Sequence, residues 1–411
     1  MTKIKDIHSR KTINSRGEPT IEIEVKSKRE LGRVSSPSGA SVGKFEATAF
    51  PKEGVDSTIK TIRDNKNEFV GLDPSNQQKI DQKLKKLDGT DNFSKLGGNG
   101  AIALSMATSK LAAKTKQIPY YEYLTELADT EPSLPLPLGN MIEGGEHAGK
   151  GATEIQEFLT LPTKVESEKQ AIISNAEVHH QIKKILEEKN KSFSGGKGDE
   201  GGWVESLKTR EALDILKKST EKIEKRKNAK IRLGIDVAAS EMWNGKNYEY
   251  RRSENKETNQ QIRFMKKLVE EYNIKYLEDP LQEEDFEGFS KIKDKINKDV
   301  LICGDDLFVT NQNRIQEGIN KKSANTVLIK PNQIGTLTDT IEAIKLAKEN
   351  NYKITVSHRS GETTDTSIAH LAVATSEIIK CGAVNGERTA KLNELIRIEE
   401  KSNIGLTNLQ T

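Results

Sequence analysis

Cysteine is scarce in this chain: Cys303 and Cys381 are the only two among 411 residues, each inside an apolar run. With no metal-type spacing between them, they exclude a disulfide framework and a cysteine zinc site, and they read as small buried hydrophobes of a reducing compartment. Long apolar runs are missing too. None reaches the roughly 18 residues that a membrane-spanning helix needs, and the opening MTKIKDIHSR has no apolar signal core. A cytoplasmic protein without membrane contact is therefore expected, and a cell-surface location is not readable here. An excess of one charge sign is the third absence. The 65 basic and 62 acidic residues give a net charge of +3 and are interleaved, which argues against a nucleic-acid tail or a membrane patch. No internal repeat or low-complexity segment stands out.

What is present fits a globular protein with a heavily solvated surface: 34% hydrophobic and 31% charged residues. The length allows two or three domains, or one α/β barrel with a smaller partner. In TIEIEV, Ile21, Ile23 and Val25 alternate with polar residues as a half-buried strand requires. DPSNQQKIDQKLKKLDG predicts a helix with Ser75 as N-cap and Ile80, Leu84 and Leu87 on one face. GAIALSMATSKLAAK predicts a small-residue helix that packs closely on a neighbour. Residues 1–130 are thus expected to form an α+β domain, ending near the proline-rich TEPSLPLPLGN.

From about residue 135 to 411 the rhythm changes. IRLGID, IKYLED, VLICGDD, TVLIK, YKITVSH and EIIKCGA are short apolar runs separated by helix-length stretches, the pattern of a parallel sheet. Two more strand candidates, around LPLGNMI and EIQEFLTL, bring the count to eight, which fits a (β/α)8 barrel better than a doubly wound sheet.

The end of each run is polar. Asp236, Glu278, Asp305, Lys330 and His358 follow successive runs at spacings of 25 to 42 residues, the length of a βα unit. In a barrel such ends share one rim, so these five groups are expected to meet there. An acidic residue after a strand also serves as a helix cap, but three in succession followed by Lys and His are better explained by a site. Three carboxylates at one mouth repel each other unless a cation sits among them, and hard oxygen donors select Mg²⁺. Beside a dication, Lys330 is expected to lose proton affinity and act as a base toward a hydrogen α to a carboxylate.

The stretch SSPSGASVGKFEA, residues 35–47, is not a phosphate-binding P-loop. Gly39 and Gly43 leave one spacer too few, and Phe45 replaces the hydroxyl residue. On these residues alone it is a surface turn. A family supplies another reading. SRGEPTIE, PSGASVGKFEA, GGEHAG with QEF, GDEGG, DVAASE, LEDP, GDDLFVTN, LIKPNQIG, SHRSGETTDT and GERTAKLNELIRIEE, in that order over residues 15–400, resemble enolase.

That resemblance implies an N-terminal α+β domain on an enolase-type (β/α)8 barrel whose first two strands break the usual alternation. It implies reversible dehydration of 2-phospho-D-glycerate to phosphoenolpyruvate, two Mg²⁺ per site, and a homodimer or larger homo-oligomer. By resemblance Asp236, Glu278 and Asp305 hold the first Mg²⁺ and Ser41, on a closing lid, the second. Lys330 is the base, and Glu200 the acid with its pKa raised, helped by Glu157. Arg359 and Ser360 hold phosphate, Lys391 faces the substrate carboxylate, and His147, His358 and Gln156 line the pocket. His8, His179, His180 and His370 match no site motif.

This chain departs from the pattern in places. Glu143 stands where the family has Asn, one residue is added between His147 and Glu157, and CGAVNGER lacks a Pro and an Arg before its last two residues. Two other readings use the same residues: a related lyase of sugar acids, which has no need of Arg359, Ser360 or Ser41, and a weakly catalytic paralogue kept for binding.

Overall fold

The computed structural model describes residues 2–39, 43–149 and 151–409; Ser41 lies outside them. Three strands, β1 (Asp6–Ile13), β2 (Pro19–Lys26) and β3 (Leu31–Ser35), form an antiparallel sheet in that order. Its alternation is the one the sequence predicts, with Ile21, Ile23 and Val25 fully buried. The helix Gly98–Lys116 lies on this face. Gly32 permits that approach, because a Cβ there would lie 1.9 Å from the Ala107 carbonyl oxygen. The helix Gln77–Asp88 is capped by Asn76, whose side chain accepts the Lys79 N–H, and not by Ser75. Ser75 Oγ is turned to Asp73 instead, at 2.7 Å.

The second unit is a closed barrel of β4 (Leu136–Glu143), β5 (Glu157–Lys164), β7 (Lys230–Asp236), β8 (Ile274–Glu278), β9 (Leu301–Gly304), β10 (Thr326–Ile329), β11 (Lys353–Ser357) and β12 (Ile378–Lys380). β12 pairs with β4 to close it, and the two-residue β6 (Trp203–Val204) hangs on the far edge of β4. All eight predicted runs are strands of this barrel. Leu138, Leu159, Tyr276, Cys303 and Leu328 belong to an apolar cluster separate from the one beneath the helices, as expected for a barrel filled by side chains. Among the described residues no helix is long and apolar enough to cross a membrane.

The six strands from β7 to β12 run parallel, as their alternation with helices predicts. β5 runs against both its neighbours, β4 and β7. Its reversal decides where Glu157 goes. As the first residue of β5, Glu157 stands in register with the last residues of β4 and β7, Glu143 and Asp236. Asp236 is in turn in register with Glu278. An entirely parallel barrel would send Glu157 to the opposite rim.

Candidate active site

A small cavity opens at this rim, and Glu157, Glu200, Asp236, Asp305, Lys330 and Arg359 are among its lining residues. His147, Gln156, His358 and Ser360 line it as well. The predicted residues therefore converge, with three exceptions: Ser41 lies outside the described residues, Glu278 meets the cavity only through Lys380 and does not line it, and Lys391 points elsewhere.

Lys391 sits on the helix Gly386–Lys401. Its ammonium donates to the Thr363 carbonyl at 2.7 Å and to that of Glu387 at 3.1 Å, and pairs with Glu362 at 2.7 Å. It braces the backbone behind Arg359 and Ser360 and does not line the cavity, which corrects the expected substrate contact. The buried cation that does line it is Lys380, the last residue of β12. Lys380 Nζ lies 2.8 Å from Glu278 Oε1, 3.0 Å from Asp236 Oδ2 and 3.2 Å from Glu157 Oε1. The sequence reading missed it because EIIKCGA looks like an apolar run. Its place was the available signal, since it ends a strand just as Lys330 follows one.

The lysine side of the rim is crowded with carboxylates. Asp305 pairs with Lys330, and burial, which would pull the Lys330 ammonium down, is outweighed by Asp305, so its proton affinity is raised. The lowered value expected from sequence is that of a lysine beside a dication; here the facing group is an anion. Burial and then Asp236 push the Glu278 carboxyl up to about 8. Burial lowers Lys380 less than Asp236, Glu157 and Glu278 raise it, and it stays charged.

Asp279 accepts the backbone N–H groups of Asp305 at 3.1 Å and Asp306 at 2.8 Å. Asp279, Asp305 and Asp306 offer oxygens within 4.8 Å of one another. The expected trio of Asp236, Glu278 and Asp305 is not such a group. Lys380 lies between Asp236 and Glu278, and Asp305 is turned to Lys330. Even so, the donors are all hard oxygens, and Glu278 Oε2 is buried with no hydrogen-bond partner. This donor set suits Mg²⁺.

The histidine side is arranged around Glu200. Its Oε2 lies 3.0 Å from His358 Nε2 and accepts from Asn140 Nδ2 at 3.4 Å, and its Oε1 accepts from Ser360 Oγ at 3.5 Å. Ser360 Oγ is also 3.1 Å from His147 Nε2. His147, Glu157 and Glu200 bring ligand-type atoms within 4.8 Å of each other. Burial drives His358 down to about 4, so its ring is neutral at pH 7.

Burial alone would raise Glu200, but His358, His147 and Arg388 outweigh it and hold the carboxyl well below its usual range. Because His358 is neutral at pH 7, its hold on Glu200 there is a hydrogen bond. Glu157 is raised well above the carboxylate range by burial and by Glu200. Here too the expectation is corrected: the acid that retains its proton is Glu157, because the histidines and Arg388 fall on Glu200's side.

Arg359 grips Glu46 through both terminal nitrogens, at 2.9 and 3.2 Å, and donates to Asn332 Oδ1 at 3.1 Å. A fork that holds a carboxylate in this way also matches a phosphate. Its backbone is anchored by Arg388, which is fully buried and donates to the carbonyls of Arg359 at 2.6 Å, Ser360 at 2.7 Å and Asp199 at 3.1 Å. One buried guanidinium thereby ties the Arg359–Ser360 pair to the loop that carries Glu200.

Comparison with known proteins places the chain among relatives along its whole length. Residues 4–124 match the family described as enolase, N-terminal domain, and residues 131–406 the one described as enolase, C-terminal TIM barrel domain. The chain is 50% identical to the enolase of Methanosphaera stadtmanae over 97% of each chain. It is 49% identical to that of Methanothermobacter thermautotrophicus, over 97% of this chain and 96% of the other. Identity to the enolase of Archaeoglobus fulgidus is 45%, again over 97% of each.

Proposed function

This chain belongs to the enolase family, and we propose from that membership and from the geometry of the rim how its residues carry out the reaction. The reaction is the reversible dehydration of 2-phospho-D-glycerate to phosphoenolpyruvate, catalysed by a hydro-lyase. In its neutral form Lys330 takes the proton from C2 on Nζ, the C3 hydroxyl leaves with a proton as water, and the C2–C3 double bond forms. Glu157 holds the proton, which passes through Glu200 to the leaving oxygen, the two carboxyl groups having oxygens within 4.8 Å of each other. Arg359 and Ser360 receive the phosphate, with Glu46 yielding the guanidinium fork.

Lys380 takes the part expected of Lys391, offsetting charge on the substrate carboxylate from among Asp236, Glu278 and Glu157. Asp236, Glu278 and Asp305 are the residues that would hold Mg²⁺. When bound, the metal supplies a counter-charge for the substrate carboxylate and relieves Asp305 of its need for Lys330. A second Mg²⁺ on Ser41, a homo-oligomeric state and a cytoplasmic location are part of the same proposal.

The observation that carries this reading is that one cavity is lined by the Lys330 ammonium and by the Glu157–Glu200 acid pair. Feeding 2-phosphoglycerate with Mg²⁺ and following the absorbance of the enol product tests it. A steady rise is expected, and no signal at high enzyme concentration would reject it.

A further inference from the structure

Glu143 ends β4, and its side chain is fully buried against residues 198–202. Its Oε2 accepts the backbone N–H of Glu200 at 3.2 Å, and its Oε1 accepts that of Gly202. The loop closes on itself around this carboxylate. Gly198 donates to the Gly202 carbonyl at 3.0 Å, and Gly201 to the Gly198 carbonyl at 3.2 Å. The glycines answer to the same side chain. A Cβ at residue 198 would lie 2.0 Å from Glu143 Oε2, and one at residue 202 would lie 2.9 Å from Glu143 Cγ. GDEGG is thus a cradle shaped to one carboxylate.

We propose that Glu143 is a positioning residue: by accepting the N–H groups of Glu200 and Gly202 it fixes the backbone from which Glu200 reaches the reacting oxygen. The proposal rests on the enolase reading above. A carboxamide cannot replace it, because one of its two terminal atoms is an NH₂ donor that would face an N–H donor. Asn, which the resemblance leads one to expect here, is also one methylene too short to reach both amides from the same backbone position.

The test compares two rates in the same sample. Exchange of the C2 hydrogen of 2-phosphoglycerate with solvent deuterium needs only the base, whereas formation of the enol product also needs the acid. Glu143→Gln is expected to lower product formation about 10- to 100-fold, the cost of a misplaced catalytic group, with C2 exchange kept near the wild-type rate. Partial unfolding lowers both rates together and leaves their ratio unchanged, so the ratio reports positioning alone. Gly202→Ala, which presses a methyl group against Glu143, should move the ratio in the same direction. An unchanged ratio in both variants overturns the proposal. A wild-type protein that neither exchanges nor dehydrates overturns the enolase reading itself.

Discussion

At the ends of β7 to β10 the buried carboxylates face lysines, and around Glu200 they face histidines. Burial is comparable in the two places, yet the outcome differs. An ammonium keeps its charge when the carboxyl groups around it outweigh burial, so Lys380 stays positive and Asp236 stays paired. An imidazole needs less persuasion, and burial strips His358 of its charge by about pH 4. The lysine side is therefore a place of fixed positive charge crowded with carboxyls, and Glu278 is pushed up to about 8 even beside Lys380. The histidine side is a place where a proton is held on a carboxyl, Glu157 being raised by burial and by Glu200. One half is suited to a cation and the other to storing a proton, as removing hydrogen from C2 and hydroxide from C3 requires.

Removing the base breaks the comparison most severely. Lys330→Ala should lower turnover by about 10⁴-fold, the upper range for a general base, and abolish C2 exchange with it, measured as solvent deuterium entering 2-phosphoglycerate. Near-normal turnover would reassign the base. Glu200→Gln should cost product formation about 10³-fold but spare C2 exchange, so the two halves separate in one pair of assays. If exchange fell as far as dehydration, the two sides would not be chemically distinct.

The same contrast marks what the sequence makes visible. The lysine side was legible because Asp236, Glu278, Asp305 and Lys330 each follow an apolar run at βα spacing, and the barrel turns that spacing into proximity. Lys380 obeyed the same rule but hid in a short run ending in Cys381 and Gly382. The histidine side gave fewer signs. Glu157 reaches the rim only because β5 is reversed, which no local pattern states. Glu143 stands out in the sequence only as a departure from the family's Asn, and its task shows only in what it accepts from the backbone of residues 198–202. The directions of proton affinity were the least legible feature. Lys330 and Glu200 each depend on the partner that stands opposite, Asp305 and His358, from distant parts of the chain.

Lys380→Met sharpens the contrast at the next level of effect. It leaves Asp236, Glu278 and Glu157 without their shared ammonium, and losing one partner of a buried ion cluster costs on the order of 3 kcal/mol. Urea unfolding at pH 7 should show that loss. Added Mg²⁺ should return more stability to the variant than to the wild type, because only the variant lacks a resident cation among these carboxylates. An unchanged midpoint would mean that the cluster is insensitive to its charge balance.

The smallest effect concerns His179, which no motif marked and which supports the histidine side from behind. Its Nε2 lies 2.8 Å from the Gly201 carbonyl oxygen, and its ring stacks on Trp203 at a centroid distance of 4.5 Å. Burial drives this histidine down to about 4. In the unfolded chain a histidine takes up its proton near pH 6.5, so as the pH falls from there toward 4 the unfolded state binds protons that the folded state does not. Stability present above pH 6.5 is therefore lost on acidification. Between pH 7 and pH 5 the loss from this one group is about 2 kcal/mol. His179→Gln keeps a donor for Gly201 and removes the titration. The variant should start somewhat less stable at pH 7, for want of the stacked ring, yet lose about 2 kcal/mol less than the wild type on going to pH 5. If urea midpoints at the two pH values fell in parallel for both proteins, His179 would have to be protonated in the fold already, and the loop bearing Glu200 would rest on a charged ring.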